Sequence, residues 1–182
     1  GAAGYYNIQP DIITYGKIIG GGLPVGMYGA SAEIMSHISP EGNVYQAGTL
    51  SGNPVAMAAG IAQLTECLKP NFYTDLESKA QFLISEIFSN LKSQISILKI
   101  YSIGSIFLIA FTDMESIRTA ERIDADSMKY FRVLHKELLD RGIYLGPSGY
   151  EVGFVCEAHT QEDLIKTAKA FGEALEIAMK VV

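Results

Sequence analysis

The chain has 182 residues, 48% of them hydrophobic and 19% charged, with a formal net charge of −6, a balance that fits a globular protein able to bury a sizeable core in one or two domains. No apolar run approaches the roughly 20 residues of a membrane-spanning helix, and the first residues lack the basic and apolar regions of a signal peptide, so a cytosolic setting is expected with no membrane partner. The 14 basic residues are scattered along an acidic chain, which argues against nucleic acid as a partner.

The opening "GAAGYYNIQPDIITYGK" has no initiating methionine and enters a strand-like run almost at once, so the chain reads as the back portion of a longer one. Asp11 to Tyr15, "DIITY", reads as a short strand, and glycines at 16, 20, 21, 22, 26 and 29 break any helical pattern behind it. Lys17 therefore sits at a strand end. Its neighbours Ile12, Ile13, Ile18 and Ile19 predict burial close by. "VGMYGAS" reads as a second strand, after which Ser31 caps a helix to about Ile38 and "SPEGN" breaks the chain. Ser51 or Asn53 then caps a helix from Pro54 to about Leu68, with proline at its first position and alanines that permit close packing.

"NFYTDLESKAQFLISEIFSNL" places Phe72, Leu76, Leu83, Ile87 and Leu91 at helical spacing. "GSIFLIAF" reads as a buried strand, and "DADSMKYFRVLHKELLDRG" as a helix capped by Asp124 or Asp126 and ended by Gly142. "IYLGP" and "EVGFVCEA" read as strands. The last helix opens with Thr160 and Asp163 at capping-box spacing and turns Leu164, Ala168, Phe171 and Leu175 inward. Residues from about 70 onward thus form a small α/β domain.

Several chemistries fail on spacing. A Walker A loop needs a glycine where Asp11 stands and Ser or Thr where Ile18 follows Lys17, and the dinucleotide fingerprint fails because Val25 occupies its last glycine position. His37, His135 and His159 fall in separate elements without a metal-binding spacing. Cys67 and Cys156 are far apart and read as reduced structural thiols. No GxSxG elbow is present. A lysine at a strand end among small residues does suit covalent attachment of an aldehyde cofactor. Its amine is mostly protonated at neutral pH, and apolar surroundings would favour the nucleophilic free base. Flanking glycines would let a flat ring approach the backbone.

"PDIITYGKIIGGGLPVGMYGA", followed by "VYQAGTLSGNPVAMAAGI", closely resembles the class III aminotransferase family of fold-type I pyridoxal phosphate (PLP) enzymes, and within it the glutamate-1-semialdehyde aminomutase branch. The likeness continues through "GSIFLIAFT" and "RGIYLGPSGYEVGFVCEAHT". It implies that residues 1–69 are the rear of the PLP-binding large domain and 70–182 a linking helix and small C-terminal α/β domain. It implies that Lys17 carries the cofactor covalently and moves protons during turnover. Thr49, with the Gly48 backbone beside it, matches the residues that hold the cofactor phosphate across a homodimer interface. Glu151 matches an active-site glutamate of the aminomutases, where many relatives use arginine in this region; Gly146 and Tyr150 depart from the usual "APSxFE". The implied reaction is intramolecular amino transfer from glutamate-1-semialdehyde to 5-aminolevulinate, an early tetrapyrrole precursor, with the cofactor alternating between PLP and its pyridoxamine phosphate form. The family's ring-pairing aspartate, stacking aromatic and second phosphate loop lie upstream of such a segment, so the 182 residues alone are expected to be inactive. Two other readings stay open: a class III omega-amino acid aminotransferase, and a non-catalytic module retaining the fold.

Overall fold

The computed structural model describes residues 1–182, which divide into two compact units, Gly1–Phe72 and Tyr73–Val182.

In the first unit a short helix α1 (Ala2–Tyr5) precedes an antiparallel pair, β1 (Ile12–Tyr15) and β2 (Met27–Ala30), in the register Ile12 to Ala30 and Tyr15 to Met27. Lys17–Gly20 forms a single 3-10 turn between them. Ser31 caps α2 (Ala32–Met35) by accepting the Ile34 N–H at 3.3 Å, but this helix stops three residues short of the expected Ile38. Asn53, the second of the two expected caps, opens α3 (Pro54–Cys67) by accepting from Val55 N at 3.1 Å and Ala56 N at 3.2 Å, with Pro54 placed where a missing N–H does no harm.

The second unit begins along α4 (Phe72–Ser89), which buries Leu76, Ala80, Leu83 and Ile87 on one stripe. β3 (Leu98–Ile103), β4 (Ile106–Phe111) and β5 (Gly153–Phe154) form an antiparallel sheet in the order β3-β4-β5. α5 (Met128–Asp140) turns Phe131, Leu134 and Leu138 inward, and α6 (Gln161–Val181) packs against it. The capping box at Thr160 is formed: Asp163 N–H donates to Thr160 Oγ1, and Thr160 N–H donates to Asp163 Oδ2 at 2.8 Å. Leu164, Ala168, Phe171 and Leu175 are all buried, as their spacing predicts. Gly172 lets α6 approach the end of α4, because a Cβ there would lie 2.9 Å from the Asn90 carbonyl oxygen.

Two further expectations differ from the structure. "IYLGP" is not a strand: Ile143 N–H donates to Leu138 O at 2.9 Å and the Leu145 carbonyl faces His135 Nε2 at 3.3 Å, so the end of α5 uses backbone groups that a sheet would need. "EVGFVCEA" pairs only over Gly153–Phe154, with one further bond from Val155 N to Ser105 O. Conversely, β3 is an element that the sequence did not announce. Lys99 and Ser102 interrupt its apolar residues, and its place is set by pairing along β4 from Leu98–Phe111 to Ile103–Ile106.

Candidate active site

The antiparallel β1–β2 ladder brings the chain to Gly16, which is fully extended at φ −153°, and the next residue reverses direction. Lys17 does so at φ 53°. Three non-glycine residues have left-handed φ, and the other two, Asn7 and Asn71, are of the type that tolerates it best. A lysine held there costs on the order of 1 kcal/mol, and strain of this kind gathers at functional positions. Past the turn, Gly21 is also left-handed, at φ 57°, and donates to Ile18 O at 3.1 Å.

What holds the turn is α3. A Cβ on Gly21 would collide with the Ala59 carbonyl, and a Cβ on Gly60 would collide with the Ile19 carbonyl. Glycine on each side thus lets helix and turn touch through their backbones. This corrects the expected role of the glycines in part: Gly21 serves helix packing, whereas Gly22 and Gly26 face open space. Gly60 was not singled out in the sequence, although a glycine inside an alanine-rich helix is a signal of close backbone approach.

The burial expected close to Lys17 falls on Gly20 and in part on Ile13 and Ile19, whereas Lys17 itself is not buried within this chain. Lys17 is exposed, Ile18 is 60% exposed, and the buried residue of the turn is Gly20. Lys17 Nζ makes no ion pair or hydrogen bond within the chain, so its amine is accessible.

Gly48 and Thr49 lie on an exposed loop before α3. Ser51 N–H donates to Gly48 O at 2.9 Å and Asn53 N–H to Leu50 O at 3.1 Å, while Gly52 at φ 69° completes the reversal. These bonds use carbonyls of the loop; the N–H groups of Gly48, Thr49 and Leu50 and the Thr49 hydroxyl remain without an intrachain partner. The loop therefore offers a cluster of donors, the arrangement an oxyanion needs. Ile19 and Val25 from one motif and Gly48 and Ser51 from the other line the same open cleft of about 710 Å³, whose remaining walls are mostly apolar side chains. Neither Lys17 nor Thr49 lines it.

Glu151 belongs to the second unit. It ends a tight turn in which its N–H donates to Ser148 O at 3.0 Å and the Tyr150 N–H to Ser148 Oγ at 3.2 Å, and its exposed carboxylate lies directly against Gly146. The structure thus brings Lys17, Gly48 and Thr49 into one unit and places Glu151 in the other.

A lysine-bearing β-hairpin in one unit and a helix-covered antiparallel sheet in the other are the α/β architecture of the fold-type I transferases, and residues 2–179 match the family Aminotransferase class-III: the chain belongs to that family. It is 45% identical to glutamate-1-semialdehyde 2,1-aminomutase of Ruminiclostridium cellulolyticum over 180 residues, which are 96% of this chain and 40% of that protein. It is 47% identical to the protein of the same name from Akkermansia muciniphila, over 91% of this chain and 38% of that one. The chain therefore spans about two fifths of the length of these curated relatives. Among solved structures, an omega-transaminase from Sphaerobacter thermophilus superposes with a TM-score of 0.85 at 28% identity, covering 98% of this chain and 41% of that one. No helix is long and apolar enough to cross a membrane.

Proposed function

We propose that this chain carries the lysine-bearing part of a PLP site, and that the whole protein is a cytoplasmic homodimer converting glutamate-1-semialdehyde to 5-aminolevulinate in tetrapyrrole synthesis. The observation that carries the reading is the accessible Lys17 amine, held in left-handed backbone at the end of β1 within a chain nearly half identical to two aminomutases. The donor set fits PLP: an unpaired primary amine for its aldehyde, and the Thr49 hydroxyl with free N–H groups at residues 48–50 for its phosphate. When bound, PLP supplies the electron sink for breaking a bond to hydrogen.

Lys17 then has two tasks. Its Nζ is the nucleophile that attaches the cofactor, and once released it takes and returns the proton moved between substrate carbons. The strained backbone at residue 17 fixes the point from which Nζ reaches, which favours a defined proton path. Glu151 brings a negative charge to the second unit's Ser148–Glu151 turn. A carboxylate there repels the carboxylate of an external keto acid and attracts an ammonium, which favours transfer within one substrate over transfer to a second. Desolvation of Lys17, which the chain alone does not provide, would come with the assembled site.

The test is made on the full-length protein. Wild type should turn over glutamate-1-semialdehyde without added keto acid and give a borohydride-trapped cofactor adduct on Lys17. Lys17→Ala should lose the adduct and about 10²–10⁴-fold in kcat. Normal turnover by Lys17→Ala would overturn the proposal. The likeness to the omega-transaminase supports a second reading, an omega-amino acid aminotransferase. A strict requirement for a keto acid would select it.

A further inference from the structure

The turn that carries Glu151 is held at both ends. Pro147 enters it with a ring-locked φ, and Gly153 leaves it paired with Phe107 in the β4–β5 ladder. Inside it, Gly149 is buried against Met128 and Phe131 of α5. What remains is the path of the chain from Gly149 to Glu151, and one residue settles it. The Glu151 N–H donates to Ser148 O at 3.0 Å, and the Tyr150 N–H donates to Ser148 Oγ at 3.2 Å. The first bond closes a β-turn and can be made by any residue at 148. The second needs an acceptor on the side chain, the local bond to backbone that a Ser or Thr hydroxyl makes.

We propose that Ser148 is the positioning residue for Glu151: by accepting the Tyr150 N–H, its hydroxyl oxygen sets the direction in which the Glu151 side chain leaves the turn. The inference rests on the reading of Glu151 as an active-site carboxylate. The Glu151 carboxylate makes no hydrogen bond or ion pair within the chain, so the backbone beneath it is what aims it. The two bonds to Ser148 hold the peptides on either side of Tyr150. With Ala at 148 the Gly149–Tyr150 peptide loses its anchor, and Gly149 has the backbone freedom to let it tilt. Water can take over the N–H of the exposed Tyr150, so the fold is left intact. The carboxylate then spreads over several directions, and its charge disfavours an external keto acid less well. Ser148 acts through Glu151 without itself touching substrate.

The experiment uses the full-length, PLP-loaded protein and reads the ratio of glutamate-1-semialdehyde turnover without keto acid to amino transfer onto added pyruvate. A merely weakened fold lowers both rates and leaves that ratio alone. Ser148→Ala should lower the ratio about fivefold, the worth of one hydrogen bond. Ser148→Thr keeps the acceptor and should stay within about twofold of wild type. In a Glu151→Gln background, Ser148→Ala should change the ratio by less than about twofold, because the charge it places is gone. A crystal structure of Ser148→Ala should show the Glu151 carboxylate displaced or split between positions. An unmoved carboxylate overturns the proposal, as does an equal loss in Ser148→Ala and Ser148→Thr. If Glu151→Gln alone leaves the ratio intact, the active-site reading of Glu151 fails, and the crystal structure still decides whether Ser148 places the carboxylate.

Discussion

The two units are held together by different means. The second closes a side-chain core in which Ile87, Leu134, Leu138, Phe171 and Leu175 are fully buried between the sheet and three helices. In the first, the only buried hydrophobic residues are Ala56 and Cys67, while Ile12, Ile18, Val55 and Ile61 are exposed. Its order comes from backbone: a four-residue antiparallel ladder, and a turn pressed onto α3 through Gly21 and Gly60. The candidate lysine stands on the unit with little core, and the second unit is the one built like a self-sufficient domain. Reactive side chains on exposed turns over a rigid element are a common division of labour. Here the rigid element is a glycine-to-carbonyl contact and not a packed interior.

The sharpest way to break this contrast is to truncate one apolar residue in each unit of the 182-residue chain. Phe171→Ala should cost about 3–5 kcal/mol, because a fully buried ring leaves a cavity. Ile61→Ala, at a position 67% exposed, should stay within about 0.5 kcal/mol. Chemical denaturation measures both, and comparable losses would show that the units are not different in kind.

A smaller effect is expected from Gly60→Val, which places methyl groups where the Ile19 carbonyl lies. Overpacking of this sort costs about 1–3 kcal/mol. Hydrogen exchange should quicken at residues 17–23 and stay unchanged along α6; an effect spread over both units would deny that the turn–helix contact is local.

The smallest test concerns pH and the second unit. Hydrogen bonds from the Thr160 hydroxyl and the Thr160 N–H hold the Asp163 carboxyl below its ordinary pKa. Since the folded value is the depressed one, the capping box stabilises α6 fully above the unfolded value of about 3.9 and loses that contribution as pH falls through the folded value. Acidification below pH 4 should therefore lower the amide protection factors at residues 160–164 before the core of the unit opens. Thr160→Ala should remove this pH dependence, and its persistence would place the titrating group elsewhere.

Much of this was readable from the sequence because it is local. The caps at Ser31, Asn53 and Thr160, the inward faces of α4 and α6, and the strands on either side of the glycine-rich turn all follow from side-chain chemistry and spacing. The misreadings share a cause. The isoleucines around Lys17 predict burial close by, but that it falls on Gly20 and not on Ile18 is decided by how the turn lies on α3. "IYLGP" has strand composition, yet the end of α5 claims its backbone groups. β3 has mixed composition, yet β4 pairs with it along its whole length.

By itself, then, the sequence determined which long segments coil into helices and which residues could carry the chemistry, since both depend on side-chain type and short-range periodicity. Tertiary structure alone decided the left-handed setting of Lys17 and the backbone contact of Gly21 and Gly60 with their neighbours. Each of these is a relation between atoms distant in the chain or a choice of backbone angle, and neither is written in the identity of any one residue.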